Sequence, residues 1–107
     1  MNLPFPIQAY FDADKQRDGE AVIRAFAAEA VVKDEGHTYA GHQAIGAWWR
    51  ETKDKYQAVL EPLEVTGEDD APTVRARATG QFPGGPAIIS FMFRLDGDVI
   101  SRLEIEA

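Results

Sequence analysis

At 107 residues the chain is long enough to bury one core without staples and reads as one domain over residues 1–107. It has no cysteine, which excludes a disulfide framework, a thiol nucleophile and thiolate metal ligation, and fits a reducing cytoplasm. A formal net charge of -7, spread along the chain, argues against nucleic acid and anionic membranes as partners. No apolar run approaches the roughly 20 residues of a bilayer span, and Met1 to Tyr10 lacks the basic start and apolar middle of a signal peptide. A soluble, unprocessed, cytoplasmic protein is expected. Two Trp, three Tyr and six Phe exceed what caps and turns require, and they would line either a tight core or a pocket.

Pro4 and Pro6 suit the first turn of a helix, where a missing amide hydrogen has no partner to lose, and Ile7, Tyr10, Phe11 and Asp14 follow at helical spacing. Asp14 is the odd polar member of that inner stripe. Asp18-Gly19-Glu20 starts a second helix with a capping aspartate; Val22, Ile23 and Phe26 continue it to about Ala28 or Glu29. The valines of Ala30 to Lys33 favour a short strand that delivers Asp34 to its end. Gly36 to Ala40 reads as a turn.

A third helix runs from Gly41 to Tyr56 with Ile45, Trp48, Trp49, Thr52 and Tyr56 on one face, while Arg50, Lys53 and Lys55 suit its exposed, C-terminal side. Trp48 and Trp49 are adjacent and are expected to divide, one facing the core or pocket and the other a flank or interface. Beyond Tyr56 the period becomes two. Gln57 to Thr66 is a strand in which Pro62 forces a bulge or an edge, and Gly67 to Pro72 is a turn cluster. Thr73 to Gln81 alternates Val74, Ala76 and Ala78 against Arg75, Arg77 and Thr79.

Pro83-Gly84-Gly85-Pro86 reverses the chain, and Ala87 to Leu95 returns with Ile89, Phe91, Phe93 and Leu95 in strict alternation. Asp96-Gly97-Asp98 turns it again into a last strand, Val99 to Glu106. Three helices ahead of a curved antiparallel meander make an α+β domain. Helices covering one face of such a sheet leave a cone, with rings from the first helix, the third helix and the strand of Phe91 directed into its mouth. Ser90, Met92 and Arg94 fall on the opposite sheet face, which a second subunit could cover.

Read together, Tyr10-Phe11, Asp18-Gly19-Glu20-Ala21, Ala30 to Gly36, Gly41 to Trp49, Gly80 to Pro86 and Asp96 to Ile105 give the whole chain a pattern that resembles the nuclear-transport-factor-2-like superfamily. The likeness is to its SnoaL-like members and its ketosteroid isomerases. The resemblance implies a conical fold and a homodimer. It implies that Asp34 is the proton-moving base and Tyr10 the donor to a developing oxyanion. It also implies that Asp14, Phe26, Trp48, Trp49, Phe91 and Phe93 line a ligand pocket. Phe91 stands where the isomerases place a protonated aspartic acid, and Phe26 and Trp49 stand where relatives place tyrosines. One oxyanion donor is therefore missing, a loss of about a hundred- to a thousandfold in comparable enzymes, so efficient steroid isomerisation is not expected.

Each residue has a plainer reading. Asp34 could cap its turn or pair with Arg75 or Arg77, and Tyr10 could be a core ring. His37 and His42, five apart with no third ligand, do not make a metal site. No aspartate-arginine-aspartate set of the kind used by epoxide hydrolases, phosphate loop or serine triad is present. The expectation is a protein that binds a small, largely apolar or amphipathic molecule without cofactor or metal. It is either an isomerase or cyclase using Asp34, with Tyr10 and Trp49 at the oxygen, or a non-catalytic binding or interaction module.

Overall fold

In the computed structural model, which describes all 107 residues, Phe5 to Lys15 form α1 with a proline in its first turn and Ile7, Tyr10, Phe11, Ala13 and Asp14 turned inward. Asp18 accepts a hydrogen bond from the backbone N–H of Ala21 (3.1 Å) and so caps α2, Gly19–Arg24. That helix is shorter than its periodicity suggests. Phe26 does not continue it but opens β1, Phe26–Asp34, because the aromatic and the following β-branched residues gain more from the sheet than from another helical turn.

The segment expected to be a turn is instead a hairpin. Glu35 (φ 52°) and Gly36 (φ 79°) both adopt the left-handed conformation that a two-residue hairpin turn requires, and His37–Ala40 returns as β2, pairing Asp34 with His37. Gly41–Tyr56 is α3 as expected, packed against β1 and β2. It ends where Gln57 turns left-handed (φ 49°).

The meander follows as β3, Val59–Glu68; β4, Ala71–Thr79; β5, Ala87–Asp96; and β6, Val99–Glu106. The strand order β2-β1-β6-β5-β4-β3 leaves β3 at an edge, where Pro62 is tolerated beside a register shift between Pro62 and Glu64. The turn between β3 and β4 is only Asp69-Asp70, because pairing extends through Gly67 and Glu68. All neighbouring pairs are antiparallel save one: β6 returns beside β1 and runs parallel to it, aligning Asp34 with Ile105. The meander β3 to β6 is antiparallel throughout, as read, and the parallel pairing of β6 with β1 adds to it, since those two strands are joined by most of the chain and not by a hairpin.

The result is an open, curved, antiparallel-rich six-stranded sheet with helices on its inner face, the α+β cone of the nuclear-transport-factor-2-like fold. Ile7, Val22, Val32, Ile45, Val74, Ile100 and Leu103 are wholly buried in its core. Tyr10 sits among rings, edge-on to Phe11, Phe26 and Phe93 with centroids 5.2, 5.8 and 6.0 Å away. Alternation on β4 and β5 holds as read. Arg75 points outward to Glu64 at 3.1 Å, on the face opposite Phe91.

Candidate functional site

A cavity of about 580 Å³ opens between α1, α3 and the inner faces of β3, β5 and β6. Its volume and mostly apolar lining are those of a small-molecule pocket. β1 and the tight Glu35-Gly36 turn bring Asp34 to the wall, and α3 supplies Trp48, Trp49, Thr52, Lys53 and Tyr56. The segment after β4 bends over the end of α3. There a Cβ on Gly80 would stand 2.6 Å from the Tyr56 carbonyl oxygen, and the Gln81 N–H donates to that oxygen at 2.7 Å. Glycine is required at that approach. It lets Phe82 stack on Tyr56 at the mouth (4.9 Å, 17° between planes) while the Tyr56 hydroxyl donates to Glu35 (2.7 Å).

Asp34 is half-buried and pairs with no arginine. The Trp48 indole Nε1–H donates to its Oδ2 at 3.0 Å, which fixes the carboxylate while leaving Oδ1 without a side-chain partner. Burial raises its pKa above the ordinary aspartate value; the Trp48 bond opposes that rise, the neighbouring Glu35 charge adds to it, and a bond from the Glu35 backbone N–H opposes it again. Tyr10 also borders the cavity although it is 2% exposed. Its hydroxyl makes no hydrogen bond within the chain, yet no fully buried side-chain polar atom lacks a partner, so the hydroxyl faces the cavity. Burial first, and then the charges of Asp14 and Asp34, push the Tyr10 pKa well upward and keep it a hydrogen-bond donor.

Asp14 is engaged on both oxygens. Trp49 Nε1–H donates to Oδ1 and the Lys53 ammonium to Oδ2, each at 2.8 Å, and Lys53 also donates to the Ala58 carbonyl at 2.6 Å. Four expectations are corrected here. Trp48 and Trp49 both face inward, because each indole N–H finds a carboxylate and the buried arc of α3 is wide enough for adjacent residues. The Trp49 N–H is committed to Asp14 and is no oxyanion donor. Phe26 and Phe93 do not reach the cavity; their backbone positions turn them into the core against Tyr10, leaving Phe91 as the lining phenylalanine of β5. Lys53 is buried, not exposed on the C-terminal side of α3.

Lys53 was legible in principle: it lies four residues after Trp49 on the inner face, and a carboxylate in the inner stripe of α1 needs a countercharge. Tyr56, Phe82 and Glu35 carry no comparable signal, since their meeting depends on how the loop after β4 crosses α3. His42 bonds the Phe26 carbonyl through Nε2 (2.8 Å), and no three metal-ligating side chains cluster anywhere.

A family model described as a SnoaL-like domain matches residues 7–106. Among solved structures, a candidate polyketide cyclase from Sinorhizobium meliloti is 42% identical, with 97% of this chain and 95% of that one covered and a TM-score of 0.93. A Catenulispora acidiphila protein with a ketosteroid isomerase-like fold, in complex with trimethylamine, shares 18% identity over 99% of this chain and 87% of its own (TM-score 0.83). A Mycobacterium tuberculosis protein in complex with estradiol-17beta-hemisuccinate shares 15% over 95% and 90% (TM-score 0.80). At those identities the likeness is one of fold. No curated protein sequence matches the chain. With a family model that leaves out only the first six residues and the last, the chain belongs to the SnoaL-like domain family, and it has the nuclear-transport-factor-2-like fold.

Proposed function

We propose that the cavity binds a small, largely apolar carbonyl compound and that Asp34 moves a proton within it, as a cofactor-independent isomerase or cyclase would. The observation that carries this is the Asp34 carboxylate itself, held by the Trp48 indole at the cavity wall with its Oδ1 taken by no other side chain. Its raised pKa suits a general base working near neutrality. Asp34 Oδ1 would take a proton from the carbon beside the carbonyl, the C–H electron pair would become the enolate double bond, and the oxygen would gain charge next to the Tyr10 hydroxyl. In an isomerase the carboxylic acid returns the proton to another carbon. In a cyclase the enolate carbon bonds to a second carbonyl, and the acid protonates the alkoxide formed.

A second reading is a binding module that uses the same cavity without turnover. It is favoured by Phe91, which lines the cavity where the resemblance places a second oxyanion donor and has no hydrogen to give. As further parts of the proposal, the outer sheet face pairs two copies into a homodimer, with Val59 and Ile88 exposed there at 54 and 40%. The protein works in the cytoplasm, in keeping with its lack of cysteine. No helix is long and apolar enough to cross a membrane.

The test follows α-proton exchange of 2-tetralone, a bicyclic ketone, in deuterated buffer by proton NMR. Exchange accelerated by the protein and lost in Asp34→Asn supports the enzyme reading. Binding of 2-tetralone with no acceleration leaves the binding module, and absence of binding overturns both.

A further inference from the structure

The charged side chains on the cavity wall do not cancel. Asp14, Asp34, Glu35 and Glu106 face it against a single ammonium, Lys53. Lys53 is already neutralised by Asp14 at 2.8 Å, so it offers a ligand no net positive charge. Three carboxylates remain: Asp34 inside, and the exposed Glu35 and Glu106 at the mouth. The nearest rim cation, Lys55, lies over the outer Tyr56 ring at 5.0 Å and does not line the cavity.

The apolar part of the wall is rich in π-faces. Tyr10, Trp48, Trp49 and Phe91 line the interior. An electron-rich ring face attracts a cation, the more so when the site is partly desolvated. Tyr10 is 2% exposed, and its hydroxyl, without a partner in the chain, presents an oxygen that can accept a hydrogen bond as well as donate one. Unspent carboxylate oxygens, ring faces and an unpartnered phenol form the surroundings that an ammonium group requires. An anionic ligand would meet Asp34 inside and Glu35 and Glu106 at the mouth, with no unpaired cation on the wall to offset them.

We propose that the molecule this cavity recognises is an organic cation, an apolar ring body bearing a protonated amine that sits between Asp34, the Tyr10 hydroxyl and the indoles of Trp48 and Trp49. This rests on reading the cavity as a small-molecule site. It deepens that reading by supplying what the site lacks: an enolate formed within already negative walls, with one donor missing at Phe91, is offset by a cation carried on the substrate itself. The mouth carboxylates Glu35 and Glu106, on a chain of net charge -7, would also draw cations toward the opening.

The experiment measures dissociation constants by calorimetry for three probes of one shape: 2-aminotetralin, tetralin and tetralin-2-carboxylate, at neutral pH and low salt. The ammonium probe should bind about tenfold tighter than tetralin, and the carboxylate weaker than both. Asp34→Asn should remove most of that advantage, so that the variant binds 2-aminotetralin no tighter than it binds tetralin. Glu35→Gln, an exposed position outside the core, should weaken binding of the ammonium probe alone, and added salt should do the same. Tetralin binding as tightly as 2-aminotetralin overturns the inference while sparing the cavity reading. Failure of all three probes to bind overturns both.

Discussion

Lys53→Met strands a carboxylate. Asp14 and Lys53 have side chains 3% and 9% exposed and meet at 2.8 Å, so removing the ammonium leaves Asp14 with only the Trp49 N–H to satisfy it. Breaking a buried pair from one side costs about 3–5 kcal/mol, because the remaining charge keeps its desolvation penalty and loses its partner. Unfolding entropy of about 2 cal/mol/K per residue converts 4 kcal/mol into a melting temperature lower by about 18 °C for a chain of this length. Asp14→Asn strands the ammonium in turn, though Lys53 keeps the Ala58 carbonyl, and should cost about 3 kcal/mol. The double variant Asp14→Asn, Lys53→Met has no unpaired charge and retains an oxygen for Trp49. It should lose only about 2 kcal/mol, so the two changes are coupled by several kcal/mol. Guanidinium unfolding followed by Trp fluorescence measures all four proteins, with Trp49 reporting beside the pair. A Lys53→Met loss under about 1 kcal/mol, or losses that simply add, would refute the reasoning and mean that water reaches the pair.

Asp34 makes a prediction of opposite sign. Its folded pKa is raised, chiefly by burial, above the ordinary 3.8, so whatever it contributes to stability is fully present below pH 3.8 and is lost as pH rises through the folded value. Asp34→Asn should therefore be at least as stable as the parent at pH 7, with the gap closing as pH falls toward 3.8; a variant less stable at pH 7 would make Asp34 a structural residue. The loop after β4 gives a third. Alanine at Gly80 meets the backbone oxygen of Tyr56 at 2.6 Å and the Ala58 Cα at 3.0 Å, whereas alanine at Gly84 (φ +84°) meets nothing within 4 Å. Gly80→Ala should cost about 3 kcal/mol by overpacking and Gly84→Ala about 1 kcal/mol by backbone strain alone. Equal thermal shifts for the two would contradict the close approach of the loop to α3.

Local order carried much of this molecule into view. The alternation from Ala87 to Leu95 and the span of α3 follow from side-chain spacing, since periods of 2 and 3.6 say which face of an element is buried whatever it packs against. Asp34 at a strand end, Asp14 in an inner stripe, Tyr10 on the first helix and the bulge at Pro62 were equally readable from neighbours in the chain. Spacing could not say what an inward residue meets. Phe26 and Phe93 face inward like Phe91, yet only Phe91 reaches the cavity, because depth along the cone is set by the stacking of elements.

The parallel pairing of β1 with β6, the bond between Lys53 and Asp14 across 39 residues and the one between Trp48 and Asp34 across 14 arise only when the sheet has curved around the helices. Such contacts have no sequence period, since charge and hydrogen bonding act through space. The sequence by itself therefore determined the elements, their faces and which polar residues would be costly to bury. The tertiary structure alone decided how those polar residues satisfy one another, and hence that Asp14 is spent on Lys53 and Trp49 while Asp34 has Trp48 as its one side-chain partner at the cavity wall.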